Sequence, residues 1–179
     1  MLPGPGAADR AKRMFLALWP DDAVRAQLVA ARRALDLNDG RLVSPQNLHA
    51  TLVFLGAVDP LRRACVEQAA ASAGGRSFEL VLAQAEWRRG GVVWLAAAEI
   101  PAALRDLVAS LNAALAACGH EPERRPYRLH VTLARDVRGR ARRRAVSPID
   151  WRAGEVCLVS SETAPDGSAY CVERRWPLL

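Results

Sequence analysis

Two short stretches of the sequence repeat one pattern of polar residues inside apolar segments. Residues 49–52 read HATL and residues 130–133 read HVTL. Side chains at positions i and i+2 of a strand point to the same face. His49 is therefore expected to face with Thr51, and His130 with Thr132. The residues between them should face an apolar core, so each strand offers one imidazole and one hydroxyl on its open face.

Two such pairs can perform acid–base chemistry without a metal ion. Near neutral pH, one imidazole can be neutral while another is protonated. The neutral ring accepts a proton from a nucleophile and the imidazolium donates one to a leaving oxygen, which suits displacement at phosphorus. The two threonine hydroxyls can bind phosphate oxygens and hold the phosphorus between the rings. The third histidine, His120, lies in a polar loop, and we expect no catalytic role for it.

Other kinds of site find no support in the sequence. It contains no H-x-x-x-H pair, no cluster of Cys and His ligands, no glycine-rich phosphate loop and no G-x-S-x-G motif. We therefore predict no metal and no cofactor. No C-x-x-C pair occurs either, and we expect reduced thiols at all four cysteines, namely Cys65, Cys118, Cys157 and Cys171.

The charge of the chain points toward an anionic ligand. The net charge is +6, and Lys12 is the only lysine, so arginine carries nearly all the positive charge. Arginine suits bidentate contacts with phosphate. The same composition is also typical of a GC-rich genome, and both explanations stay open. No apolar run approaches the length of a membrane helix, so we expect a cytoplasmic protein without membrane contact, in monomeric form.

The elements that position these residues follow from periodicity and turn signals. We predict seven strands at 14–19, 48–55, 78–85, 92–96, 129–135, 155–161 and 170–175. Helices are expected at about 22–35, from Pro60 to the glycines at 74–75, and at 104–118. The arginine run at 138–144 should be a solvated loop or short helix, and residues 1–12 a disordered leader. This order predicts one α+β domain over residues 13–179, with two pseudo-symmetric lobes, each an antiparallel sheet with outer helices, and a cleft between them.

The two H-x-T-L stretches, 49–52 and 130–133, are called the two words below. They resemble the paired H-x-T-x motifs of the two-histidine (2H) phosphoesterases. The similarity is closer to the RNA 2',3'-cyclic phosphodiesterases, a LigT-like branch also called 2'-5' RNA ligases. RMFLALWP at 13–20, NLHATLVFLG at 47–56, RPYRLHVTLAR at 125–135 and YCVERRWPL at 170–178 carry it. Leu129 stands where that family often has proline. The resemblance implies a bilobal fold and metal-free opening of a terminal 2',3'-cyclic phosphate to a 2'-phosphate, on RNA 3' ends or cyclic-phosphate nucleotides.

The resemblance also implies a role for each site residue. His49 would be the proton donor to the leaving 3'-oxygen, and His130 the proton acceptor that activates water. Thr51 and Thr132 would bind the phosphate, with Arg135 adding a positive contact. Three aromatic residues, Tyr127, Phe54 and Trp87, are candidates for stacking on a terminal base.

Two alternative functions stay open from the sequence. The same residues could catalyse the reverse reaction, forming 2'-5' linkages as an RNA ligase. The chain could also be a non-catalytic module that binds RNA ends, although such a module needs no pair of proton-transfer groups.

Overall fold

The structure, a computed structural model, describes residues 11–37, 39–164 and 167–179. Three helices lie within these residues, α1 (Asp22–Ala34), α2 (Pro60–Ala73) and α3 (Ala102–Ala116). The strands are β1 (Lys12–Leu18), β2 (Arg41–Leu42), β3 (Ala50–Val58), β4 (Phe78–Arg88), β5 (Val92–Ala97), β6 (His130–Arg135), β7 (Arg142–Ala153), β8 (Glu155–Ala164) and β9 (Gly167–Pro177). The predicted α+β class is confirmed, and all three helices lie close to their expected positions.

One antiparallel sheet runs through both halves of the molecule. Its strand order is β7-β4-β5-β6-β3-β1-β8-β9, with the short β2 pairing to β6. The two lobes are the halves of this order, and they meet where β3 pairs with β6 at Ala50 and Val131. The sequence suggested two sheets facing across a cleft. The two words instead lie on adjacent strands, because β3 and β6 pair directly.

The helix ends follow ordinary capping chemistry. The side chain of Asp21 accepts from the backbone N–H of Val24 at 2.8 Å, and that of Asp59 accepts from Arg62 at 2.8 Å. Pro60 stands in the first turn of α2, where its missing N–H costs nothing. Gly74 ends the same helix with a φ of 56°, a conformation that glycine adopts without strain. These signals explain why the helix boundaries could be located from sequence.

The apolar side of the sheet holds the core. Helices α2 and α3 pack against each other there, with Val66, Leu104, Leu111 and Leu115 fully buried. Because the helices cover this side, the opposite side of β3 and β6 is left for the polar residues of the two words.

Two cysteines form a disulfide, which corrects the expectation that all four are reduced. Cys65 on α2 is bonded to Cys118, just after α3, with their Cα atoms 5.7 Å apart. The two residues are 53 positions apart in sequence, and only the packing of α2 on α3 brings them together. Cys157 and Cys171 are free, as expected.

The structure of the arginine run also differs from its prediction. Residues 142–144, predicted as loop or short helix, begin the long strand β7, whose partner is β4. The alternation that usually marks a strand is hidden there because residues 142–145 are exposed on both faces. The structure also adds β2, too short to carry a periodic signal. Strand β3 begins one residue after His49 and continues past Gly56 to Val58, opposite Lys12 of β1.

Two predicted segments lie partly outside the described residues. These are the expected leader, of which residues 1–10 are not described, and the predicted turn between β8 and β9, of which Asp166 is not described. Strand β1 already begins at Lys12, the last residue of the expected leader. The β8–β9 pairing itself is present, from Glu155 opposite Pro177 to Ala164 opposite Gly167. In the described part of the chain, no helix is long and apolar enough to cross a membrane.

Candidate active site

The two words meet at the centre of the sheet in an arrangement close to twofold symmetry. Ala50 pairs with Val131, and these are the middle residues of the two words. Both are fully buried on the core side. The residues on either side of them in the strands therefore point to the other face. All four polar side chains, His49, Thr51, His130 and Thr132, line one cleft of about 840 Å³.

Buried leucines fix each word in the sheet. Leu48 and Leu129 precede the two histidines, and Leu52 and Leu133 follow the two threonines, all with 5% exposure or less. Leu129, which takes the place of a proline in the resembled motif, is therefore an anchor in the core. Because the apolar residues alternate with the polar ones, the imidazoles and hydroxyls are directed away from the core and into the cleft.

Each imidazole is oriented in the same way by the backbone. His49 Nδ1 lies 2.6 Å from the carbonyl oxygen of Asn47, and His130 Nδ1 lies 2.8 Å from that of Arg128. A carbonyl oxygen can only accept, so Nδ1 carries the proton in both rings. In the neutral form, Nε2 is then the atom that can accept a proton. Both rings thus present Nε2 for chemistry.

The segment before His49 is held by contacts with the far end of the chain. A 3₁₀ turn at Pro45–Asn47 brings the Asn47 carbonyl within hydrogen-bonding distance of His49 Nδ1. The side-chain amide of Asn47 donates to the carbonyl of Ser168 on β9 at 2.6 Å. The position of His49 therefore depends on β9 as well as on its own strand.

The ring of His49 lies among three aromatic rings that sequence reasoning did not assign to the site. The centroid of Phe15 is 4.8 Å away, that of Trp19 5.5 Å, and that of Tyr170 5.2 Å at a right angle. Burial among these groups lowers the pKa of His49 to about 4, with smaller contributions from the charges of His130 and Arg135. The alternation of Phe15, Ala17 and Trp19, along β1 and just past its end, was the signal that could have revealed two of these three rings.

His130 has a different environment. Its ring packs on Trp94 at 4.2 Å between centroids. Burial lowers the pKa of His130, and the positive charges of Arg128, Arg135 and Arg88 lower it further. The residues of this environment belong to β4, β5, the segment before β6 and the end of β6, and Trp94 was also not identified from the sequence.

The predicted substrate-binding residues are placed as follows. Thr51 Oγ1 lies 3.0 Å from His49 Nε2, and Thr132 and Arg135 line the cleft. Tyr127 is not brought into the cleft lining, since its hydroxyl donates to the carbonyl of Thr51 at 3.1 Å and its ring packs against the core. It therefore supports the strand that carries Thr51.

The two other aromatic candidates differ in exposure. Phe54 lines the cleft and is 59% exposed, so its ring is available to a ligand. Trp87 is buried, with the guanidinium of Arg142 over its ring at 4.3 Å. In the described residues, no group of three or more His, Cys, Asp or Glu side chains is arranged to hold a metal ion.

Comparisons with known proteins agree with this geometry. Residues 20–165 match the model of the 2'-5' RNA ligase superfamily. The RNA 2',3'-cyclic phosphodiesterase of Escherichia coli (strain K12) is 30% identical over 173 residues, which cover 93% of this chain and 97% of that protein. The crystal structure of E. coli LigT in apo form superposes with a TM-score of 0.82 at 29% identity, covering 94% and 98% of the two chains. LigT complexed with 3'-AMP gives a TM-score of 0.79 at 28% identity, with the same coverage.

Proposed function

Because the chain belongs to the 2'-5' RNA ligase superfamily, we propose that it hydrolyses the terminal 2',3'-cyclic phosphate of RNA to a 2'-phosphate. The observation that carries this proposal is the pair of imidazoles in one cleft, each with Nδ1 hydrogen-bonded to a main-chain carbonyl and Nε2 directed into the cleft, where that of His49 contacts the Thr51 hydroxyl. Curated relatives with the name RNA 2',3'-cyclic phosphodiesterase support it.

The reaction needs one base, one acid and a cradle for the phosphate. His130 Nε2 takes a proton from water as the water oxygen attacks phosphorus. The P–O3' bond breaks, and His49 Nε2 gives its proton to the departing 3'-oxygen. Thr51, Thr132 and Arg135 bind the non-bridging oxygens, where negative charge is held in the transition state.

Substrate binding favours the protonated form of one imidazole, which the mechanism requires. Burial favours the neutral form of both imidazoles in the free protein. A phosphodiester anion placed between them favours the imidazolium, because opposite charges at close range raise a histidine pKa. One proton is thus taken up with the substrate, and His49, next to the leaving oxygen, holds it.

The experiment follows a short RNA that ends in a 2',3'-cyclic phosphate, incubated with the protein in excess EDTA. Mass and end-group analysis should detect gain of one water and a 2'-phosphate. His49→Ala and His130→Ala should each lose roughly 10²–10⁴-fold in rate. His120→Ala is the matched control, because the third histidine is bonded to Asn112 outside the cleft lining. Binding without turnover by the unmodified protein would contradict the proposal and favour a binding module.

The same assay separates hydrolysis from its reverse. The four cleft side chains would also catalyse attack by an RNA hydroxyl in place of water, so a 5'-hydroxyl RNA is included. Water is far more abundant than RNA ends, and hydrolysis is therefore the expected outcome.

We further infer that residues 13–179 act as one monomeric domain in the cytoplasm, on RNA ends formed there. The support is that one chain supplies all four polar residues of the cleft, and that one sheet spans both lobes. Light scattering during gel filtration tests the mass, and cell fractionation tests the location.

A further inference from the structure

The face of the sheet that carries His130 and Thr132 continues beyond the cleft toward β7. In the registered pairs, Thr132 of β6 lies opposite Trp94 of β5, Trp94 opposite Glu86 of β4, and Glu86 opposite Arg143 of β7. Directly opposite residues on adjacent strands share one face of a sheet. A row of side chains therefore leads from the proposed phosphate site across three further strands.

A single buried carboxylate organises this row. Glu86 is only 3% exposed, and it forms ion pairs with Arg88 at 3.1 Å, with Arg143 at 3.3 Å and with Arg128 at 3.6 Å. It also accepts from the indole N–H of Trp94 at 3.2 Å. We call the three guanidinium groups the arginine shelf.

The arginine shelf is an electropositive surface, and the carboxylate that it surrounds, that of Glu86, is buried. Three arginines share one carboxylate, so positive charge is in excess by two. The Glu86 side chain is almost inaccessible, whereas those of Arg88, Arg128 and Arg143 are 38%, 51% and 59% exposed. A ligand on this face therefore meets guanidinium groups whose positions are already fixed. Such groups bind phosphate through paired N–H donors.

The shelf and the cleft lie on opposite sides of the histidine pair. The cleft lining extends from the two words over β1, β2, β8 and β9, and none of the shelf arginines belongs to it. The shelf converges on Glu86, two strands from β6 in the same row, which places it about 10 Å from Thr132. Arg88 and Arg128 are near enough to His130 for their charges to act on its ring. An RNA chain whose 3' end reacts at the histidines can therefore extend across the shelf.

We propose that the arginine shelf binds a backbone phosphate of the nucleotides that precede the cyclic end, so that the preferred substrate is an RNA strand and not a cyclic mononucleotide. This inference rests on the proposed function and adds to it a binding site for the RNA that precedes the cyclic end. A cyclic mononucleotide fills only the cleft and gains nothing from the shelf. An oligonucleotide gains one or more charge-assisted contacts, and these contacts weaken with salt.

The test compares two adjacent arginines on β7. Arg143 lies opposite Glu86 on the shelf side, while Arg144 lies opposite the buried Ala85 on the other face of the strand. The value of kcat/KM is measured for a short RNA with a 2',3'-cyclic phosphate and for adenosine 2',3'-cyclic monophosphate. In Arg143→Ala, the ratio of the two values should fall about tenfold, and the salt dependence for the RNA should become shallower. Arg144→Ala should keep the ratio of the unmodified protein.

Two further variants separate binding from folding. Arg143→Lys keeps the charge and should recover part of the ratio, whereas Arg143→Glu should lower it further. An unchanged ratio in Arg143→Ala would overturn the inference while leaving the proposed function intact. An equal loss on both substrates would overturn it as well, since it would indicate a general effect on the protein.

A failure of the proposed function is recognised separately, as absence of turnover of either substrate by the unmodified protein. In that case, fluorescence anisotropy with fluorescein-labelled RNA decides the inference. Weaker binding by Arg143→Ala than by Arg144→Ala supports the shelf, and equal binding overturns it.

Discussion

The two histidines have the same local sequence and the same backbone contact but different surroundings. His49 is enclosed by Phe15, Trp19 and Tyr170, from β1, the segment after it, and β9. His130 contacts one ring, that of Trp94, and lies near the positive charges of Arg128, Arg135 and Arg88. The repeated word thus sets the orientation of each imidazole, and the surrounding lobe sets its charge.

This difference assigns distinct physical properties to the two sides of the cleft. An apolar enclosure opposes charge on His49 until an anion arrives, because burial penalises the imidazolium. On the other side, burial and then the charges of Arg128, Arg135 and Arg88 lower the pKa of His130, and these arginines also attract the anion. A base must be neutral before it can accept a proton, so the cationic side suits the role proposed for His130.

The largest expected difference concerns the two threonines. Thr51 Oγ1 is 3.0 Å from His49 Nε2, and no equivalent bond joins Thr132 to His130 among the residues that the structure describes. Thr51→Val removes a phosphate donor and also releases His49, so we expect kcat/KM to fall roughly 10²–10³-fold. Thr132→Val removes only the phosphate donor, and its loss should be near the lower end of that range.

Steady-state kinetics on the cyclic-phosphate RNA measure both losses, and Ser substitutions at the same positions provide the controls because they keep the hydroxyl. Equal losses of kcat/KM in the two Val variants would contradict the prediction that Thr51 contributes more than Thr132. A larger loss at Thr132 would reverse it.

The pH dependence of stability tests the enclosure of His49. Its pKa is lowered from 6.5 to about 4 in the folded protein, so the unfolded chain binds more protons between these values. The stabilisation is complete above about pH 6.5 and is lost as the pH falls toward 4. Between pH 7 and pH 4 the free energy of unfolding should therefore decrease by roughly 2–3 kcal/mol from this residue alone.

Urea unfolding of the unmodified protein and of His49→Gln at both pH values isolates this contribution, because all other groups titrate in both proteins. His130→Gln should also reduce the decrease in the free energy of unfolding between pH 7 and pH 4, but by less than His49→Gln, since the pKa of His130 is lowered too. A greater effect at His130 than at His49 would show that the enclosing rings are not the dominant cause.

Local patterns in the sequence predicted the parts of the fold and site that depend on local structure. The helix starts near residue 22 and at Pro60 were predicted, and the structure shows Asp21 and Asp59 capping them. The i, i+2 alternation placed each histidine on the same face as its threonine. The sequence also predicted paired proton transfer, because two of the three histidines lie in the same H-x-T-L frame.

Long-range pairing was beyond the reach of these patterns. The three rings around His49 come from both ends of the chain, and only the β1–β3 and β1–β8–β9 pairings assemble them. Four cysteines offer six possible pairs for a single disulfide, and sequence alone does not choose among them. Arginines at the start of β7 conceal the strand alternation, because both faces are exposed there.

The smallest expected effect comes from Glu86, whose contacts lie on the His130 side alone. Glu86→Gln keeps the shape and can still accept from Trp94, but Arg88 and Arg128 lose a counter-ion. Their less compensated charge should lower the pKa of His130 and move the acidic limb of the kcat/KM profile down by a few tenths of a unit. NMR titration should detect this shift at His130 and a much smaller change at His49, whose pKa depends only weakly on the charge of His130. Equal shifts at both rings would mean that the two environments are electrostatically coupled, and that the charge on each imidazole is set by the whole cleft.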